Sequence, residues 1–203
     1  MSREKVLCGK EEIVRIAVGI VDKEGMEALS VRRVAKELGV SSMTIYNYVE
    51  NLRDIKKEVL VNGFDRLYGC IYVALNEFKA PVDGRSFCKT IAMRVLRFAE
   101  ENSGIYMFMF SDGQRLFRGD AEIRPFYAFL SKLMKRSKAT QKDWAINEKG
   151  YKLFEMFVFS IAYQYAAGGD LQSEEELEKY VDFFLERCID SVPEDEKNIN
   201  NIQ

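Results

Sequence analysis

Apolar residues recur at helical spacing along nearly the whole chain, and nowhere do they alternate with the period of two that a half-buried strand needs. Ile13, Ile16, Ala17, Ile20 and Val21 fall on one face and predict a helix from Lys10 to Glu24, closed by Gly25. Ser30 stands as an N-cap, with Arg33 where a capping box would carry Glu or Gln, so the cap is partial. It opens a second helix, Val31 to Leu38, that buries Val31, Val34, Ala35 and Leu38 and stops at Gly39. A third short helix follows almost at once and runs to about Val49. Its inward face is Val40, Ile45 and Val49, which leaves Ser41, Ser42, Thr44, Asn47 and Tyr48 pointing outward. Two short helices joined by a few residues around a glycine form the helix-turn-helix pattern, and Ala35 is small where the two would cross.

The same periodicity predicts a long helix from Leu52 to Lys79, ended by Pro81, and another from Arg85 to Glu101. Residues 103–119, rich in glycine and aromatics, read as a broken stretch. A helix over 123–137, a polar loop at 138–143 and a long helix over 144–167 follow, the last ended by Gly168 and Gly169. The final helix spans 173–191. Glu174, Glu175 and Glu176 sit in its first turn, where the helix dipole favours anions. The expected fold class is all-α. A three-helix helix-turn-helix domain (1–51) is joined by a long helix to a C-terminal helical domain (52–203).

Composition narrows the chemistry. The chain has 203 residues and no histidine. That removes Ser/His/Asp and Cys/His triads, His-ligated zinc and a histidine general base together, so no metal or cofactor is expected and an enzyme is disfavoured. Cys8, Cys70, Cys88 and Cys188 form no CxxC and read as reduced thiols of a cytoplasmic protein. The opening MSREKVLCGK has no secretory pattern, and no apolar run is long enough to span a membrane. The net charge of −2 is uneven: residues 1–60 carry a small positive excess, and 142–203 carry 6 basic against 14 acidic residues. Within 30–57, six basic residues face three acidic ones. A polyanion would meet the N-terminal part and be repelled by the C-terminal end.

The run Leu38-Gly39-Val40-Ser41-Ser42-Met43-Thr44-Ile45-Tyr46-Asn47-Tyr48-Val49, preceded by Ser30-Val31-Arg32-Arg33-Val34-Ala35, resembles the helix-turn-helix of the TetR family. The resemblance covers residues 10–60. It implies a DNA-binding transcriptional regulator, a repressor that holds a palindromic operator as a homodimer and is released by a small molecule. A recognition helix offers short polar side chains to base edges in the major groove. Asn47 suits adenine, Ser42 and Thr44 can donate or accept, and Met43 suits a thymine methyl or a contact inside the small domain. Ser41 points outward, Tyr46 and Tyr48 suit phosphate oxygens, with partial burial against the first helix as the competing reading for Tyr46, and Arg32 suits a phosphate or a guanine edge. One position departs from the family: its usual lysine at the start of the fourth helix is Leu52 here. Arg53, or Lys56 and Lys57 a turn later, are the candidate substitutes.

The family also implies a dimer through the last two helices. The first carries Tyr151, Phe154, Phe157, Val158, Ile161, Ala162 and Tyr165, a stripe too wide for one core face. Leu177, Phe183, Phe184 and Ile189 are similar material on the second. By the same resemblance a ligand site lies inside the helical bundle. Met93, Leu96, Met107, Phe110, Phe126, Tyr127, Phe129, Leu130, Met134 and Phe154 are its candidate walls, with ordinary core as the competing reading. Arg94, Arg97, Arg115 and Arg124 are candidates for pairing with an anion. The alternative function is a helical partner-binding protein of the same fold that has lost operator binding.

Overall fold

The computed structural model describes residues 9–77, 84–128, 148–169 and 173–189, and the regular elements among them are all helical. The head comprises α1 (Lys10–Glu24), a single 3-10 turn (Met26–Ala28), α2 (Val31–Leu38) and α3 (Ser42–Ile45). Gly25, at φ +81°, and Gly39, at φ +66°, turn the chain out of α1 and α2 through backbone space that favours glycine. The Ser30 hydroxyl accepts a bond from the Arg33 N–H at 3.1 Å, as an N-cap should. Arg33 cannot complete a capping box. Its guanidinium pairs instead with Glu24 at 2.8 Å and Glu37 at 3.0 Å, tying α2 to the end of α1.

The third helix is shorter than its apolar pattern predicts. Regular α-helix stops at Ile45, and the chain reaches Val49 through turns in which Tyr48 and Val49 both donate to the Ile45 carbonyl. Tyr46, Asn47 and Tyr48 have low helix propensity and are all exposed, so neither local preference nor packing holds a longer helix.

The body begins with α4 (Leu52–Asn76), capped by the Asn51 side chain, which accepts from the N–H groups of Arg53 and Asp54. There follow α5 (Gly84–Glu101), α6 (Ser103–Phe110), α7 (Asp112–Phe117), α8 (Arg124–Tyr127), α9 (Glu148–Ala166) and α10 (Glu174–Phe184). Ser173 caps α10, which runs on into a π-helical turn at Leu185–Ile189. Residues 103–119 are thus not a broken stretch but two helices. Their glycines serve close approach rather than interruption. A Cβ at Gly104 would lie 2.1 Å from the Val21 carbonyl oxygen, and one at Gly113 2.7 Å from that of Phe108. The start of α6 is thereby seated on the end of α1.

Only the first turn of the helix expected over 123–137 falls among the described residues. The rest of it, with Phe129, Leu130 and Met134, lies outside them, as do the loop 138–143, residues 144–147 and the expected last residues of the helix that begins at Leu52. One apolar core runs from Ile13, Ile20 and Ile45 in the head through Ile55, Leu60 and Phe64 of α4 to Val95, Tyr106, Phe154, Val158 and Val181. It crosses residue 51 without a gap. Cys88 is buried and Cys70 exposed, both unbridged. Among the described residues no helix is long and apolar enough to cross a membrane.

Candidate nucleic-acid interface and cavity

The head presents one outward surface around α3. Ile45 is fully buried and pins the helix from beneath. The Ser41 hydroxyl accepts from the Thr44 N–H at 3.2 Å and lies 3.0 Å from the Thr44 hydroxyl, fixing both side chains at the first turn. Above this pin, Met43 is 74% exposed, which rules out a contact inside the small domain as its main role. Tyr46, Asn47 and Tyr48 are exposed, Ser42 and Thr44 half-buried, and Arg32 exposed on the neighbouring α2. The result is a short protruding element with hydroxyls, an amide and a thioether on one side and two phenols beside them. Such a set suits base edges and phosphate oxygens.

The basic residues at the start of α4 face another way. Arg53 donates to the Leu116 carbonyl at 2.8 Å, and its guanidinium lies 5.0 Å from the centre of the Phe117 ring. Lys57 pairs with Asp120 at 3.0 Å and Glu122 at 2.7 Å, and these two carboxylates raise its pKa. Two of the three candidate substitutes for the missing lysine therefore clasp α4 to α7 and the loop after it. Lys56 is half-buried.

A second link joins head and body through polar groups, of which Asn102 is buried. Arg66 of α4 donates to the Asn102 side-chain carbonyl, and Asn102 donates to the Phe98 carbonyl at 3.0 Å. Asp22, at the end of α1, faces Arg66 and accepts from the Ile105 N–H of α6. Burial raises its pKa, and those two partners only partly offset the effect.

In the body, α4, α6, α7, α8 and α9 line a partly open cavity of about 530 Å³. Phe64, Leu67 and Tyr68 come from α4, Phe110 from α6, Gln114 from α7 and Phe126 from α8. Lys152, Glu155, Met156, Phe159, Ser160, Tyr163 and Gln164 all come from α9. The rings are ordered: Phe110 and Phe159 stack at 4.5 Å, Phe64 and Phe126 at 5.4 Å. Tyr68 fastens the wall by donating to the Phe126 carbonyl. Glu155 is only 7% exposed, and its carboxylate meets the Lys152 ammonium at 2.6 Å.

Of the walls expected from sequence, Phe110 and Phe126 line this cavity. Leu96 and Phe154 are buried in the core, and Met93 and Met107 are half-buried; none of the four lines it. Leu130 and the side chain of Tyr127 lie outside the described residues. The candidate arginines for an anion do not line it either. Arg94 reaches Glu77, Arg97 reaches Glu174, Arg115 reaches Asp112, and Arg124 is exposed. The missed walls, Glu155, Phe159 and Tyr163, are spaced by four on α9. That spacing runs beside the stripe Phe154, Phe157, Val158, Ile161, Ala162 and Tyr165 assigned to a dimer, and none of these three is among the expected walls.

Residues 13–51 match the family described as bacterial regulatory proteins, tetR family. Over 94 residues the chain is 31% identical to the uncharacterized HTH-type transcriptional regulator YobS of Bacillus subtilis, covering 46% of this chain and 47% of that protein. Over 57 residues it is 54% identical to the HTH-type transcriptional repressor DrrR1 of Streptomyces coeruleorubidus, covering 28% and 20%. The chain thus matches less than half the length of these relatives. Among solved structures, the ketosteroid transcriptional regulator KstR2 of Mycobacterium tuberculosis superposes with a TM-score of 0.63 at 16% identity, covering 92% of this chain and 95% of that one. The fatty acid degradation regulator FadR of Bacillus halodurans gives 0.64 at 15%, covering 88% and 93%. These two likenesses are of fold.

Proposed function

We propose that this chain, whose residues 13–51 match the tetR family of bacterial regulatory proteins, is a repressor of that type: it binds a palindromic operator as a homodimer and leaves when a small molecule fills the cavity. The observation that carries the reading is the α3 surface, where Ser42, Met43, Thr44, Asn47 and Tyr48 stand around the buried Ile45. Asn47, Thr44 and Ser42 read bases, Met43 meets a thymine methyl, and Tyr46, Tyr48, Ser41 and Arg32 hold the backbone. The division of labour falls near residue 51, with DNA binding before it and ligand and dimer functions after it.

One head binds weakly, and half-sites about 34 Å apart need two. Leu153 and Met156 on α9, with Tyr180 and Phe183 on α10, are large apolar side chains left exposed, and they suit burial against a second copy. Signal transfer runs along α4. Phe64, Leu67 and Tyr68 touch the cavity at one end, and Arg53 and Lys57 clasp α7 and its following loop at the other. A ligand that favours one arrangement of this clasp shifts the population of head separations by its differential affinity.

The test is a footprint of the purified protein on the DNA upstream of its own gene. A protected palindrome is expected, with affinity falling steeply as salt rises. The engaged Arg53 and Lys57 favour a second reading, a partner-binding protein without operator affinity. Absence of any protected palindrome, there and genome-wide, selects it.

A further inference from the structure

We infer that the cavity takes an organic cation with a flat, ring-bearing body, its charge set against Glu155 and its rings against Phe64, Phe110, Phe126 and Phe159. This inference rests on the reading of the cavity as the effector site.

The charge argument starts from an asymmetry. Among the described lining residues the charged groups are Glu155 and Lys152. Glu155 is almost wholly withdrawn from water, whereas the Lys152 side chain is 67% exposed. An exposed ammonium loses little when it lets go of its partner and returns to solvent. A carboxylate left buried without a cation is strongly unfavourable. The pair is therefore built to exchange one partner only. Lys152 can swing out, and whatever replaces it must bring positive charge. An anion would enter beside a carboxylate in low dielectric, with the candidate arginines occupied elsewhere or exposed.

The shape argument points the same way. The cavity is walled by two stacked ring pairs, Phe64 on Phe126 inclined by 20° and Phe110 on Phe159 by 30°. Aromatic faces attract cations and stack on flat ring systems. Gln114, Ser160 and Gln164 add neutral polar groups, which set orientation without favouring either charge. The volume suits a drug-sized molecule.

Three probes of closely similar shape test this on the full-length protein: (2-naphthylmethyl)trimethylammonium, 2-neopentylnaphthalene and 2-naphthylmethanesulfonate, titrated by naphthalene fluorescence. The cation is expected to bind about tenfold or more tighter than the neutral probe, and the anion weakest. Glu155→Gln should abolish the preference for the cation and leave the neutral probe unchanged. Lys152→Ala, which removes a competitor, should tighten the cation severalfold. The inference is overturned by binding of none of the probes, by tighter binding of the anion, or by a folded Glu155→Gln protein with its cation preference intact. If Glu155→Gln does not fold, Lys152→Ala decides: unchanged or weaker cation binding overturns the inference. Operator release, read by gel shift, separates the two levels. Glu155-dependent cation binding without release keeps this inference and sinks the effector reading. Release by an anion, lost in Phe159→Ala, keeps the effector reading and sinks the inference.

Discussion

The head (α1 to α3) and the cavity wall formed by α9 are built from the same kind of residue, yet they differ in how many surfaces each helix must serve. In the head each helix has one buried face: Ile13, Ala17 and Ile20 in α1, Val34, Ala35 and Leu38 in α2, Ile45 in α3. Most of the rest meets water or the proposed operator, apart from the end of α1, where Val21 and Asp22 meet the body. Helix α9 has three faces. Phe154, Val158 and Ala162 enter the core, Glu155, Phe159 and Tyr163 line the cavity, and Leu153 stays exposed, with Met156 shared between cavity and solvent. A residue in the head thus has one role, packing or reading. An aromatic on α9 can have any of three, and its type does not say which.

The sharpest way to break this comparison is to truncate two phenylalanines of α9 that differ only in face. Phe154→Ala should cost about 3–5 kcal/mol, as expected for a ring lost from a packed core. Phe159→Ala, at a wall that already borders empty space, should cost clearly less. Equal losses in denaturant titration would mean that the cavity is core and that the distinction between faces is false.

The counterpart in the head comes next in size. Thr44→Ala combined with Asn47→Ala should weaken specific operator binding by about 2–5 kcal/mol, with the melting temperature and dimer mass nearly unchanged. A large fall in melting temperature would show that readers and pins are not separate there. Gly104→Ala probes the seam between the two regions. A methyl driven toward the Val21 carbonyl should destabilise by about 1–3 kcal/mol, read by thermal unfolding, and change how strongly a cavity ligand alters operator affinity.

The smallest effect concerns Asp22. Its pKa is raised in the folded state by burial, so the folded protein holds that proton more tightly than the unfolded chain does. The resulting stability is complete below the unfolded carboxylate pKa and is lost as pH rises through the raised folded value. Asp22→Asn keeps an acceptor for the Ile105 N–H and cannot ionise. Its melting temperature should gain on the wild type as pH rises from about 4 to 7. A constant difference across that range would assign the effect to packing.

Legibility in the sequence followed the same division. The ends of α1 and α2 are as expected because Ser30, Gly25 and Gly39 act within a turn of their own position. Residues 103–119 read as broken because Gly104 answers to the carbonyl of Val21, far away in sequence, and composition cannot tell a close approach from a break. Arg53 and Lys57 were expected to face DNA. Their partners Leu116, Asp120 and Glu122 lie some sixty residues away, beyond any local pattern. In the cavity, Phe110 and Phe126 were anticipated as walls from their aromatic type. Glu155 was missed because a lone acid on an amphipathic helix ordinarily reads as solvated.

The seam at Gly104 carries a mechanical consequence. Because backbone there meets backbone, without side chains between to bend or change rotamer, α1 and α6 engage like gear teeth cut with no backlash. Phe110, at the far end of α6, touches the cavity, and α1 braces the head. A small rotation of α6 is therefore passed to α1 almost undiminished. Sensitivity of that coupling depends on the absence of a single methyl group.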